Sequence, residues 1–568
     1  MEKHIAIIGA GPSGLFMYKK LIESGRTDFT IDIFEAKNYS GAGMPYSNDG
    51  ASTEHITNVS GNEIPKLVIP IVDWIKTLHP DALKKYNLNP ETVHEFMVLP
   101  RLLFGEYLEA QFNMLQANAA QAGISTQIHF NCRVNDIADE PLINKIKIKV
   151  ANAGWLTFNT VIICSGHNWP VTYEGNVDGY YDSPYPPAKL KKRFNHSIAI
   201  RGSSLTAIDA VRTLARANGT FVQEQPHKFS YHTNNGSPDF KIFMHSRHGL
   251  LPAIRFHLDD SHLSNKSLLT KEDINNHRKN NDGFLSLDFI FEKDFKEPFK
   301  EKDLAFYQQI KDKTIEEFVD FIMTFRESID PFLLFKGEYA EAQKSIDRKK
   351  SIYWKEMLGV LSFAMNYPAK HFSAEDMQRL QRVLMPLISV VIAYVPQSSC
   401  EELIALHDAG KLELIDVGYD NEIVVNNNGE IIIHYKDVDG NKQEKKYQTF
   451  IDCIGQKHLS IEDFPFKSLV TKGSVTPARL RFRDINKINK NDNYEKDNNV
   501  FYLKVPGIAI NDNFSAVDKN GNENPRLYIM AVPYIGGFNP DYSGLDFCEA
   551  ASKIIAENIF INEKELVK

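Results

Sequence analysis

The sequence predicts an α/β fold: two Rossmann-like domains and a largely helical insertion. Three observations predict it. "IAIIGAGPSGLFMYKK" near the N-terminus runs from a β-branched strand through glycines into a helical pattern. "SIAIRGSSLTAIDAVRTLA", Ser197 to Ala215, repeats that order. Between the second unit and the C-terminal strands lies a long stretch with helical spacing.

In the first turn Ile5–Ile8 form the strand, and Gly9, Gly11 and Gly14 follow at GxGxxG spacing. Gly9 permits the tight turn, Gly11 lets backbone approach a pyrophosphate, and Gly14 lets helix and strand pack closely. Pro12 and Ser13 open the helix, whose positive N-terminal end faces phosphates. The next strand, "FTIDIFEA", ends in Glu35, at the spacing of the acid that binds a ribose hydroxyl. An acid there disfavours a 2′-phosphate, so the site suits FAD or NAD. Its N-terminal position and the loop "YSGAGMPYSNDG", with Gly43 and Met44, favour FAD.

"TFNTVIICSGHNWP" is a strand running into Cys164, Ser165, Gly166 and His167. It resembles the "ATGH" segment where flavin enzymes leave the FAD domain for a second nucleotide domain. Cys164 reads as a small buried residue. In the second turn Gly202 keeps the first glycine position, Ser203 follows, and Ser204 and Ala207 replace the other two glycines. All are small, so close approach remains feasible. Asn218 to Ser237 reads as a polar loop. The strand "DFKIFMHSRHG" then ends at Ser246, Arg247 and His248, where a cation suits the 2′-phosphate of NADPH, with NADH the alternative.

From about Leu258 to Ala409 the pattern turns helical, after a polar stretch "DINNHRKNNDG" that reads as a loop. "VLMPLISVVIAYV" is shorter than the roughly 20 apolar residues of a membrane span and reads as a buried element. Strands resume at "KLELIDVG", and "YQTFIDCIGQ" ends at Gly455 as a second crossover. The C-terminal "RLYIMAVPYIGGFNPDYSGLDFCEAA" reads as strand, loop and helix, with Gly536, Gly537 and Gly544 allowing close approach to the flavin. The expected domains are 1–170 and 450–568 for FAD, 171–257 and 410–449 for NAD(P), and 258–409 for the insertion.

The 568 residues suit two to four domains at roughly 150 residues each. A net charge of -8 gives no electrostatic reason to expect nucleic acid or an anionic membrane as partner. The five cysteines are far apart in sequence, with no CxxC pair for metal or dithiol chemistry. That pattern, with no signal peptide, fits a reducing cytoplasm.

Together "GAGMPYS", "EIPKLVIPIVDWI", "LPRLLFGEYLEAQF", "CSGHNWP", "GSSLTAIDA", "SRHGLLP", "IDCIGQ" and "LDFCEAA" resemble the YdhS-like FAD/NAD(P)-binding proteins of bacteria. These are distantly similar to flavin-containing and N-hydroxylating monooxygenases. The resemblance implies that Gly9, Gly11, Gly14 and Glu35 hold FAD, that Arg101 lies near it, and that Gly202, Ser204 and Arg247 hold the nicotinamide nucleotide. The Baeyer–Villiger pattern FxGxxxHxxxWP is absent as a unit; "GHNWP" shares only its ending. The expected activity is an FAD-dependent, NADPH-using monooxygenase acting on a small molecule. An NAD(P)H oxidase or reductase, and a flavin-binding sensor, are the alternatives.

Overall fold

The computed structural model describes residues 3–151, 153–259, 268–366, 368–426, 428–489, 492–541 and 544–565. The first strand, Lys3–Ile8, is completely framed by parallel neighbours: Phe29–Phe34 on one side and Thr160–Ile163 on the other. Ser125–His129 extends the sheet beyond Phe29–Phe34, and Glu523–Ile529 pairs parallel to Thr160–Ile163 at the other side. The chain's two ends therefore share one six-stranded sheet. Residues 5–8 are buried throughout, as a central strand covered on both faces requires.

The second sheet is parallel and five-stranded. Ser197–Arg201 sits between Thr449–Asp452 and Lys241–Ser246, with Leu412–Asp416 at one edge and Tyr180–Tyr181 at the other. The strand Thr449–Asp452 thus runs past the expected boundary at 449. The helix Gln397–Asp408, inside the expected insertion, packs on this second unit against the helix Leu205–Asn218 and the strands Lys228–Thr233 and Leu412–Asp416.

Two segments read as loops are regular. Gly219–Gln225 and Lys228–Thr233 form an antiparallel hairpin within Asn218 to Ser237. Most of its first strand faces solvent, so it lacks the alternation that marks a half-buried strand. "DINNHRKNNDG" enters the helix Lys271–Lys279, which buries only Ile274 and is closed by a Thr270–Asp273 capping box. The rest of the middle region is helical, from Leu287–Ile290 to Met385–Val391. The apolar run at 383–395 is a buried helix there, with Leu384, Leu387, Ile388 and Val391 in the core. No helix among the described residues is long and apolar enough to cross a membrane.

Candidate functional site

The first turn shows why three glycines stand where they do. Gly9 has φ +105°, and its N–H donates to the Phe34 carbonyl at 2.8 Å. A Cβ there would lie 2.8 Å from the Cys164 carbonyl oxygen. One on Gly14 would collide with the Gly9 carbonyl oxygen, so that glycine serves helix–strand packing. Gly11 is the N-cap of the helix Pro12–Glu23, its nearest neighbour being Gly43 Cα at 3.3 Å from an added Cβ. No side chain caps this helix, so its first N–H groups face the space in front of Gly11. Glu35 braces the turn: Oε2 accepts from the Ala10 N–H at 2.8 Å, Oε1 from the Lys37 N–H at 2.9 Å.

The second turn repeats this geometry. Gly202 has φ +108°, its N–H donates to the His245 carbonyl at 2.8 Å, and a Cβ on it would lie 2.8 Å from the Cys453 oxygen. Ser204 is the exposed N-cap of the helix Leu205–Asn218, and no side chain caps that helix either. The Ser203 hydroxyl donates to the Leu250 carbonyl at 2.7 Å, with Ser246 Oγ 3.1 Å away. In register, Ile8 pairs with Phe34 and Arg201 with His245. Ser246 therefore stands where Glu35 stands in the first site, and Arg247 follows it. The exposed Arg247 guanidinium lies 5.7 Å from the centre of the Tyr419 ring.

The two crossovers are also alike. Cys164-Ser165-Gly166-His167 leaves the first sheet and Cys453-Ile454-Gly455-Gln456 leaves the second. They are clipped together: the Asn168 N–H donates to Gln456 Oε1 at 2.9 Å, and Gln456 Nε2 donates to the Asn168 carbonyl at 2.8 Å. His167 stacks on Trp169, and burial pushes its pKa down to about 4, so it is neutral at physiological pH. Burial raises the Cys164 and Cys453 thiols well above the ordinary value, which makes them packing groups and not nucleophiles.

Both turns and both crossovers open on a single cavity of about 1690 Å³. That exceeds the roughly 300–1,000 Å³ of an ordinary small-ligand pocket. Gly9, Gly11, Pro12, Ser13, Glu35, Gly43 and Met44 line it, as do Gly166, His167, Gly202, Ser203, Ser204, Arg247, Gly455 and Gly544. Met385, Pro386, Ser389 and Val390 of the middle region line its roof.

Arg101 reaches the cavity but is already engaged. Nη1 pairs with Asp209 Oδ2 at 2.6 Å and Nη2 donates to the Ile56 carbonyl at 3.3 Å. Gly536 and Gly537 are required by protein contacts: a Cβ on the first would collide with His458, on the second with Val505. Gly544 meets nothing within 4 Å. Asp209, Gln456 and His458 line the cavity and went unread in the sequence. Pairing "CSGH" with "CIGQ" would have found Gln456.

The fit to a dinucleotide pair rests on these cradles: backbone at Gly9 and Gly202 admits no side chain, and two uncapped helix N-termini face one space. The chain is similar to several known proteins. Residues 6–168 match the family described as FAD-NAD(P)-binding, and residues 270–392 match the YdhS-like middle domain. YdhS of Escherichia coli (strain K12) is 27% identical over 482 residues, 82% of this chain and 86% of that protein. The flavin-containing monooxygenase iboF of Amanita muscaria (strain Koide BX008) is 21% identical over 297 residues, 41% of this chain and 54% of that protein. The ornithine hydroxylase PvdA of Pseudomonas aeruginosa, in its reduced form, aligns over 99% of this chain and 100% of its own at TM-score 0.49 and 11% identity. By domain make-up the chain carries an FAD-NAD(P)-binding domain at 6–168 and a YdhS-like middle domain at 270–392, the two features its motifs resemble.

Proposed function

We propose that the chain is an NADPH-dependent flavin monooxygenase acting on a small molecule. The observation that carries this reading is the shared cavity, onto which two turns pivoting on Gly9 and Gly202 open from the two sheets. Bound there, FAD supplies the two-electron chemistry that links NADPH to molecular oxygen. Gly9, Gly11 and the N-terminus of Pro12–Glu23 hold the FAD pyrophosphate. Glu35 keeps lone pairs beyond its two backbone bonds, enough to accept a ribose hydroxyl. Gly202, Ser203 and Ser204 carry the second pyrophosphate, and Ser246 with Arg247 takes the 2′-phosphate, where an acid would repel it. The helix Met385–Val391 shields the cavity from bulk water. Five free thiols support a reducing cytoplasm as its compartment. The likeness to iboF supports oxygenation over simple reduction.

Anaerobic stopped flow tests the reading. NADPH bleaches the flavin absorbance faster than NADH, and oxygen then restores it without stoichiometric peroxide once the substrate is present. No bleaching with either nucleotide overturns the proposal in favour of a flavin-binding sensor. Peroxide equal to the NADPH consumed, whatever small molecule is added, makes the protein an oxidase.

A further inference from the structure

Behind the C-terminal helix Leu545–Glu565 lies a second, separate cavity of about 200 Å³. The helix divides the two spaces. Leu545 and Cys548 line the dinucleotide cavity, whereas Phe547, Ala551 and Ile554 line the small one. Ile274, Phe363 and Phe514 complete a largely apolar wall.

One group in that wall has no apolar explanation. Asp294, in the π-helical turn Phe291–Lys296, is 1% exposed and lines the cavity. Its carboxylate accepts one hydrogen bond, from the Leu269 N–H to Oδ1 at 3.1 Å. No cationic side chain among the described residues pairs with it, and Asp273, of like sign, acts against its charged form. Burial pushes its pKa up to about 7. The other polar lining groups are committed to the loop before the helix: Asn366 Oδ1 accepts from the Asp541 N–H at 2.9 Å, and Asn539 Nδ2 donates to the Asp541 carbonyl at 3.1 Å. A buried carboxylate without a counter-ion is costly, so the group holds a proton up to near neutral pH and gives it up when a cation is supplied.

We propose that this cavity binds a small apolar molecule bearing one ammonium group, which pairs with Asp294. The volume takes a body somewhat larger than benzene, since cavities of about 150 Å³ hold benzene itself. An ammonium donor fits Asp294, the ionisable group among the described lining residues, and a carboxylate ligand meets repulsion there. The inference does not rest on the proposed oxidoreductase activity, because the residues involved are distinct from the dinucleotide-holding ones.

Isothermal titration of the purified full-length protein with benzylamine tests it, with phenylmethanol and benzoate as neutral and anionic counterparts. Benzylamine binds saturably, one per chain, and at least about tenfold more tightly than either counterpart, the worth of one charge-assisted contact. Asp294→Asn lowers benzylamine affinity by the same factor, and Ala364→Leu, which fills the cavity without touching the charge, abolishes it. Absence of saturable benzylamine binding overturns the proposal. So does binding that survives both substitutions, which assigns it to the dinucleotide cavity, or benzoate binding as tightly as benzylamine, which needs no variant to be folded.

Discussion

Gly9, Gly11 and Gly14 lack side chains for different reasons, and substitution separates them. A Cβ on Gly14 drives the helix Pro12–Glu23 off its strand, because the obstacle is backbone. A Cβ on Gly11 needs only a few tenths of an ångström from Gly43, but it stands where phosphate must come. Gly14→Ala therefore lowers the apoprotein's stability by about 1–3 kcal/mol, as overpacking does. Gly11→Ala leaves the apoprotein melt within about 0.5 kcal/mol while the FAD-to-protein absorbance ratio falls severalfold. Thermal melts of the flavin-free proteins read the first effect and the flavin absorbance reads the second. Equal losses in both measurements would remove the distinction between a packing glycine and a ligand-facing one.

At the level of elements, the two sites differ at the end of the strand that pairs beside each turn's own strand. Glu35 ends one and Ser246 ends the other, at matched register. Arg247→Ala raises KM for NADPH by roughly 10- to 100-fold, the cost of about 1.5–3 kcal/mol for a hydrogen bond to a charged group, with kcat and the NADH constants little changed. Ser246→Glu moves preference toward NADH by adding the ribose-binding acid of the first site. Steady-state kinetics with both nucleotides check this; unchanged NADPH constants in Arg247→Ala would place the 2′-phosphate elsewhere. These turns were legible in the sequence because a glycine at positive φ and a buried β-branched strand leave few alternatives at Gly9 and Gly202. The hairpin within Asn218 to Ser237 was not, since its solvent-facing strand carries no burial pattern. Arg101 drew attention as a cation near FAD, yet its partner Asp209 lies 108 positions away. Nothing local encodes such a pair.

That pair belongs to a polar seam between the two sheet-bearing units. From the first unit come Glu54, His55 and Arg101; from the second, Asp209 and Thr213. His55 Nε2 lies 3.0 Å from Thr213 Oγ1 and 3.2 Å from the Asp209 carbonyl, and the Thr213 hydroxyl donates to Glu54 Oε1 at 2.5 Å. Arg255 adds a second seam to Glu63 and to Ser60 Oγ, the latter at 2.8 Å. Burial alone would raise the Glu54 carboxyl, but the Thr213 bond, His55 and the Ser52 bond outweigh it and hold it at about 2. An unfolded chain protonates this group near 4.5, so its contribution is complete above that pH and disappears as pH falls toward 2. Burial lowers the His55 pKa against the pull of Asp209. The unfolded chain takes up that proton near 6.5 while the folded one stays neutral, so stability also falls as pH drops below 6.5. Both groups act in one direction, and acid opens the interface. The melting temperature therefore declines from pH 7 downward, and both turns lose their shared cavity in the same transition. His55→Gln flattens the upper part of that decline. Glu54→Gln flattens the part between 4.5 and 2 and costs on the order of 2–3 kcal/mol at neutral pH, where it weakens the hydroxyl bonds that Thr213 and Ser52 donate to a buried carboxylate. Melts of the three proteins across this range, followed by flavin fluorescence and circular dichroism together, decide the matter. If flavin release and unfolding separate in the parent protein, or if neither substitution changes the acid profile, the two nucleotide sites are held together by packing and not by this polar seam.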